Sequence, residues 1–105
     1  MTTLAEFITN NLTEYEIEYR IHATRRMFQR KIDDEEVEFI LTNGQIIELY
    51  DNDFPLPSLL LNGHTEAGRP LHVVVGINLS EIKLIIITVY EPNPLLWTEN
   101  LSRRL

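Results

Sequence analysis

Two kinds of periodicity divide the chain. Leu4, Phe7, Ile8 and Leu12 recur at helical spacing with Thr3 in place as a cap, which predicts a short helix over residues 3–11. From Glu14 to His22 the pattern becomes strict alternation. Tyr15, Ile17, Tyr19 and Ile21 oppose Glu14, Glu16, Glu18 and Arg20, as in a half-buried strand with a polar outer face. In the next stretch, His22 to Lys31, a helix would set His22, Arg26 and Arg30 four residues apart along one face. Ala23, Met27 and Phe28 lie on another face and are expected to bury. Asp33 with Glu36 reads as a capping box opening a second helix, whose apolar side is Val37, Ile40 and Leu41. Asn43-Gly44 should stop it, because glycine tolerates the left-handed conformation of a helix end.

Beyond Gly44 the pattern is β. Gln45 to Asp51 forms a strand, a loop follows at Asp51-Asn52-Asp53 with Pro55 and Pro57, and Ser58 to Leu61 forms a second strand. Asn62-Gly63 and Ala67-Gly68 bracket a turn. The runs Pro70 to Ile77 and Lys83 to Glu91 then make a hairpin, rich enough in valine and isoleucine to lie at the centre of the sheet. Along its first strand Leu71, Val73, Val75 and Ile77 share one face, which leaves His72, Val74 and Gly76 on the other. Pro92 and Pro94 end the β run, and Leu95, Leu96, Trp97 and Leu101 continue as a turn or helix. The order helix, strand, helix, helix, four strands predicts an α+β domain of two layers. Two helices cover one face of an antiparallel sheet of four to five strands, with an extra helix at the N-terminus.

Composition narrows the chemistry. A chain of 105 residues, 44% hydrophobic, holds one domain, 1–105, with a single core. Its formal charge is -7, yet the segment Arg20 to Ile32 carries five of the nine basic residues and no acid. A polyanion would have to meet that patch, and broad nonspecific nucleic-acid binding is disfavoured by the overall balance. The absence of cysteine rules out disulfides, thiolate nucleophiles and cysteine-based metal sites, and suits a cytoplasmic chain. No leader or membrane-spanning pattern is evident. There is no phosphate-binding G-x-x-x-x-G-K-[ST] motif and no G-x-S-x-G elbow. His22, His72 and Glu91 sit at no recognised ligand spacing, so neither a metal nor a cofactor is expected.

The residues left to carry chemistry each have an ordinary alternative. His72 titrates near ~6.5 and suits proton transfer, but a strand histidine is commonly a core or surface residue. His22 stands where strand becomes helix and serves either as general acid or base or as a junction cap. Arg26 and Arg30 can hold an anion or pair with Glu35, Glu36 or Glu38, whereas Arg69, three residues before His72, can grip a phosphate or sit in a solvated turn. Tyr90 and Glu91 close the last strand and could place a phenol and a carboxylate beside His72. His64 reads as a solvent-facing loop residue.

Taken together, His22-Ala23-x-x-Arg26-Met27-x-x-Arg30, Gly44, Asp53-x-Pro55-x-Pro57-Ser58, Gly68-Arg69-Pro70-Leu71-His72-Val73-Val74 and Thr88-Val89-Tyr90-Glu91-Pro92 resemble a widespread family of small bacterial proteins. That family looks like part of the RelE-like toxin superfamily of toxin-antitoxin systems. The resemblance implies a metal-independent endoribonuclease that cleaves messenger RNA by 2′-hydroxyl attack, held in check by an antitoxin protein. It assigns His22 and His72 to proton transfer, Arg26, Arg30 and Arg69 to charge stabilisation, Tyr90 to substrate orientation or stacking and Glu91 to tuning a histidine. RelE-like ribonucleases are usually strongly basic and this chain is acidic. The alternative is therefore a non-catalytic protein-binding module of the same fold.

Overall fold

Short local signals set the helix starts. In the computed structural model, which describes residues 2–8, 11–98 and 100–105, Thr3 and Glu6 form a reciprocal capping box at the head of α1 (Leu4–Phe7). The predicted end of this helix at Asn10-Asn11 falls partly outside the described residues. A 3-10 turn, Leu12–Glu14, leads into β1 (Glu16–Tyr19), half the length that the alternation suggests. Ile21, the last apolar residue of that alternation, instead begins α2 (Ile21–Arg30). The second capping box forms as expected between Asp33 and Glu36, starting α3 (Asp34–Asn43).

Two helix ends depart from expectation. Gly44 is extended, with φ -73°, and the left-handed residue is Lys31, φ 56°, whose N–H closes the end of α2 onto the carbonyls of Met27 and Phe28. Gly44 is required by space instead: a Cβ there would stand 2.6 Å from the Ile40 carbonyl oxygen. The exposed Phe28 is the other departure. Ala23 and Met27 alone bury from α2, while Phe28 stays 86% exposed, because the helix turns only a narrow stripe to the sheet.

The sheet comprises β2 (Gln45–Tyr50), β3 (Ser58–His64), β4 (Pro70–Asn78) and β5 (Lys83–Tyr90) with β1, in the order β1-β5-β4-β3-β2. The hairpin β4–β5 lies at its centre as predicted. The sheet is mixed, however, since β1 pairs with β5 in parallel while every other pairing is antiparallel. The helices carry the chain from one edge of the sheet to the other, and the meander β2 to β5 returns beside β1 in the same direction.

The helices bury Val37, Ile40, Leu41, Ala23 and Met27 against Leu59 and Leu61, the Leu71-Val73-Val75-Ile77 row, and Leu84, Ile86 and Val89. A bulge shifts the β4–β5 register between Val74 and Val75, so that Val74 faces Thr88 while Val75 faces Ile86. This resets the alternation of β5. Val89 joins the helix-side core, and Tyr90 comes opposite His72 on the other face. No helix among the described residues is long and apolar enough to cross a membrane.

Candidate active site

The face away from the helices is covered at its two ends and open between them. At one end the C-terminal segment folds back over β4 and β5. Trp97 packs edge-on against His72 with ring centroids 4.5 Å apart, and Arg104 lies over the indole at 4.7 Å. Arg104 also reaches across to β2, donating to Glu48 at 2.8 Å. That hydrogen bond is the main reason the Glu48 carboxyl is held below its usual range. The Trp97 cover was not legible in the sequence beyond an apolar run after Pro94.

Beneath this cover His72 has no solvent-exposed surface. Its Nε2 lies 2.8 Å from the Leu101 carbonyl and its Nδ1 3.2 Å from the Tyr90 hydroxyl. A carbonyl only accepts, which fixes the neutral tautomer: Nε2–H donates to Leu101, and Nδ1 accepts from Tyr90. Burial lowers the histidine's pKa against the opposing pull of the Leu101 carbonyl and Glu48. It raises that of the Tyr90 phenol. No substrate touches His72 while the C-terminal segment is in place.

Arg69 is engaged elsewhere. Its guanidinium donates to the carbonyls of Arg30 and Lys31, each at 2.7 Å, and its Nε to Glu91 at 2.5 Å, with Glu36 3.8 Å away. It therefore satisfies carbonyls left open at the end of α2 and ties that end to the sheet. Arg30 contributes a second tie, donating to the Val89 carbonyl at 2.6 Å. The geometry follows from strand length. β1 pairs only as far as Ile86, so the last residues of β5 present an open edge, which α2 covers in place of a strand. At the other end of the helix the Arg20 N–H bonds the Ile86 carbonyl.

Pinned at both ends, α2 holds His22 at the margin of the open face. His22 lines a pocket of about 520 Å³ together with Arg20 and the loop Asp53-Phe54-Pro55-Leu56, over a floor of Gly76, Ile85 and Ile87. The absence of a side chain at position 76 leaves room on the floor, where a Cβ would meet Ile87 Cδ1 at 3.3 Å. The loop is fastened by the hydrogen bond from the Ser58 hydroxyl to Asp53. His22, Arg25 and Arg26 are exposed. Among the described residues neither arginine forms an ion pair, and Glu36 lies beside Arg69 instead.

The predicted residues thus separate into two groups. His72 and Tyr90 form a buried pair, with Arg69 and Glu91 in an ion pair nearby at the end of α2. His22 borders the open pocket with Arg20, Arg26 is exposed on α2 outside the pocket's lining, and Arg30 is the staple between helix and strand. Asp53 gains weight as the carboxylate that shares the pocket with His22. No group of three or more metal-ligating side chains occurs among the described residues.

A sheet with the helices on one face and an accessible pocket bordered by His22 and Arg20 on the other defines a two-layer α+β domain. The chain belongs to a family described as a domain of unknown function, DUF4258, whose model matches residues 19–91. Those residues run from the end of β1 through β5 and contain both groups of candidate residues. No curated protein and no solved structure matches the chain.

Proposed function

We propose that this domain is a RelE-like toxin of a type II toxin-antitoxin system, a metal-independent endoribonuclease working on messenger RNA in the cytoplasm. The observation that carries the proposal is the exposed pair His22 and Arg20 at a pocket on the helix-free face, in a chain otherwise dominated by negative charge. The order of elements and the motif resemblance support it further. In this reading the ribose 2′-oxygen bonds to the adjacent phosphorus as His22 takes its proton. The bond from phosphorus to the 5′-oxygen breaks, and the proton returns to that oxygen, leaving a 2′,3′-cyclic phosphate. Arg20 in the pocket and Arg26, one helical turn from His22, offset the charge that builds on the phosphorane. Arg30 and Arg69 position α2, while the His72–Tyr90 pair holds the C-terminal segment over the covered end of the sheet.

The test is transcript cleavage by the purified protein. Wild type is expected to cut single-stranded RNA without added metal, and His22→Ala to cut it at least about a hundredfold more slowly, the usual contribution of a general base. Equal rates for the two would remove His22 from the mechanism. A second reading, a protein-binding module without catalysis, rests on a different feature. Phe7, Leu49, Leu56 and Ile77 line an apolar pocket of about 440 Å³ at the far end of the sheet, next to the outer edge of β2. Intact transcripts, together with a stable complex between this chain and the product of the adjacent gene, would select that reading.

A further inference from the structure

The outward side of α2 holds a feature that neither packing nor the candidate pocket uses. Phe28 is 86% exposed and Ile21 74%, both on a helix whose only buried residues are Ala23 and Met27. Phe28 lies in a hollow of about 680 Å³ with Tyr19, Ile21, Thr24, Arg25 and Gln29. Nothing within the chain is stabilised by leaving a phenyl ring in water at this point.

Helical geometry links the ring to the pocket. His22, Arg25 and Phe28 follow one another at steps of three residues, which places neighbours about 5–6 Å apart in a diagonal row across the helix. Along that row stand an imidazole at the pocket, a guanidinium on the crest and an aromatic ring on the far flank. This spacing suits alternating chemistry in a ligand: a reacting sugar-phosphate, a phosphate and a base. Electrostatics select the same class of ligand. With Arg20, Arg25, Arg26, Arg30 and Lys31 and no acid between Arg20 and Ile32, the patch attracts a polyanion. A base can stack on an exposed aromatic ring only when it is not already stacked in a duplex.

We propose that α2 is a platform for single-stranded RNA, on which Phe28 stacks a base and Arg25 holds the neighbouring phosphate as the strand crosses the helix toward His22. This rests on the RNA-directed reading above and adds to it the path of the strand and the side chains that hold it. Because Phe28 contributes so little to the core, its substitution leaves folding intact.

The experiment compares the binding of two labelled 2′-O-methyl oligonucleotides, which lack the nucleophilic hydroxyl and so stay whole. One carries all its bases, and the other is abasic at alternate positions. Wild type is expected to bind the first about tenfold more tightly, Phe28→Ala to bind both equally and weakly, and Phe28→Tyr to restore the preference. An unchanged preference in Phe28→Ala would overturn the platform while leaving RNA binding in place. Failure of every variant to bind either oligonucleotide would overturn the RNA reading as well. Capture of an acidic amphipathic peptide by wild type but not by Phe28→Ala, without oligonucleotide binding, would assign this face to a protein and also overturn the platform.

Discussion

At the scale of single residues, His72 and His22 divide the work between stability and chemistry. His72 is neutral, fully buried and bonded through both ring nitrogens. Its pKa lies below the unfolded value, so the unfolded chain takes up a proton that the folded chain refuses. The stability this histidine contributes is therefore complete above the ordinary histidine value of ~6.5 and declines as the pH falls below it. His72→Ala should cost about 2 kcal/mol at pH 7.5, measured by denaturant unfolding, through the loss of two hydrogen bonds and the contact with Trp97. At pH 5.5 the difference between wild type and variant should shrink; a difference independent of pH would show that folding leaves the proton affinity of the imidazole unchanged, and one that grows would show that the fold favours its protonated form. The position of His72 opposite the Leu71-Val73-Val75-Ile77 row was legible from strand alternation. Its sealing was not, because the cover comes from Trp97 and Leu101, far along the chain, and periodicity carries no information about such a return.

At the scale of elements, α2 is held less by burial than by ties at its two ends. The Arg20 N–H and Arg30 join it to the open edge of β5, and Arg69 closes its C-terminus. The Asp33–Glu36 capping box and the Thr3 cap could be read in the sequence, since they depend on neighbouring residues, and the structure adds Glu6 as the partner of Thr3. The orientation of α2 could not: a period of 3.6 identifies an apolar side but does not say how wide a stripe the sheet will cover, and Phe28 fell outside it. Gly44 was recognised as a stop for a reason the structure replaces. Where α3 passes into β2 the backbone runs against the Ile40 carbonyl, leaving no room for a side chain. Gly44→Ala should accordingly destabilise the fold by about 2 kcal/mol or more, whereas Gly68→Ala, at φ 90° with nothing within 4 Å, should cost only about 1 kcal/mol of backbone strain. Thermal unfolding of the two variants checks the order, and a larger loss at Gly68 would contradict the steric account.

At the scale of the whole molecule, topology and charge act together. The two layers followed from the order of the periodic segments, but the parallel pairing of β1 with β5 did not, since alternation reports burial and not the direction of a neighbour. That pairing determines the site. A short β1 beside a long β5 leaves an edge for α2 to occupy, and the start of α2 brings Arg20 and His22 to the face the helices do not cover. Titrating isotope-labelled protein with a short single-stranded RNA, and following its amide and side-chain NMR signals, tests this arrangement most directly. The signals of His22, Arg26 and Ile87 should move together and saturate together. Unchanged signals there, or changes confined to the apolar pocket around Phe7 and Leu49, would contradict the account.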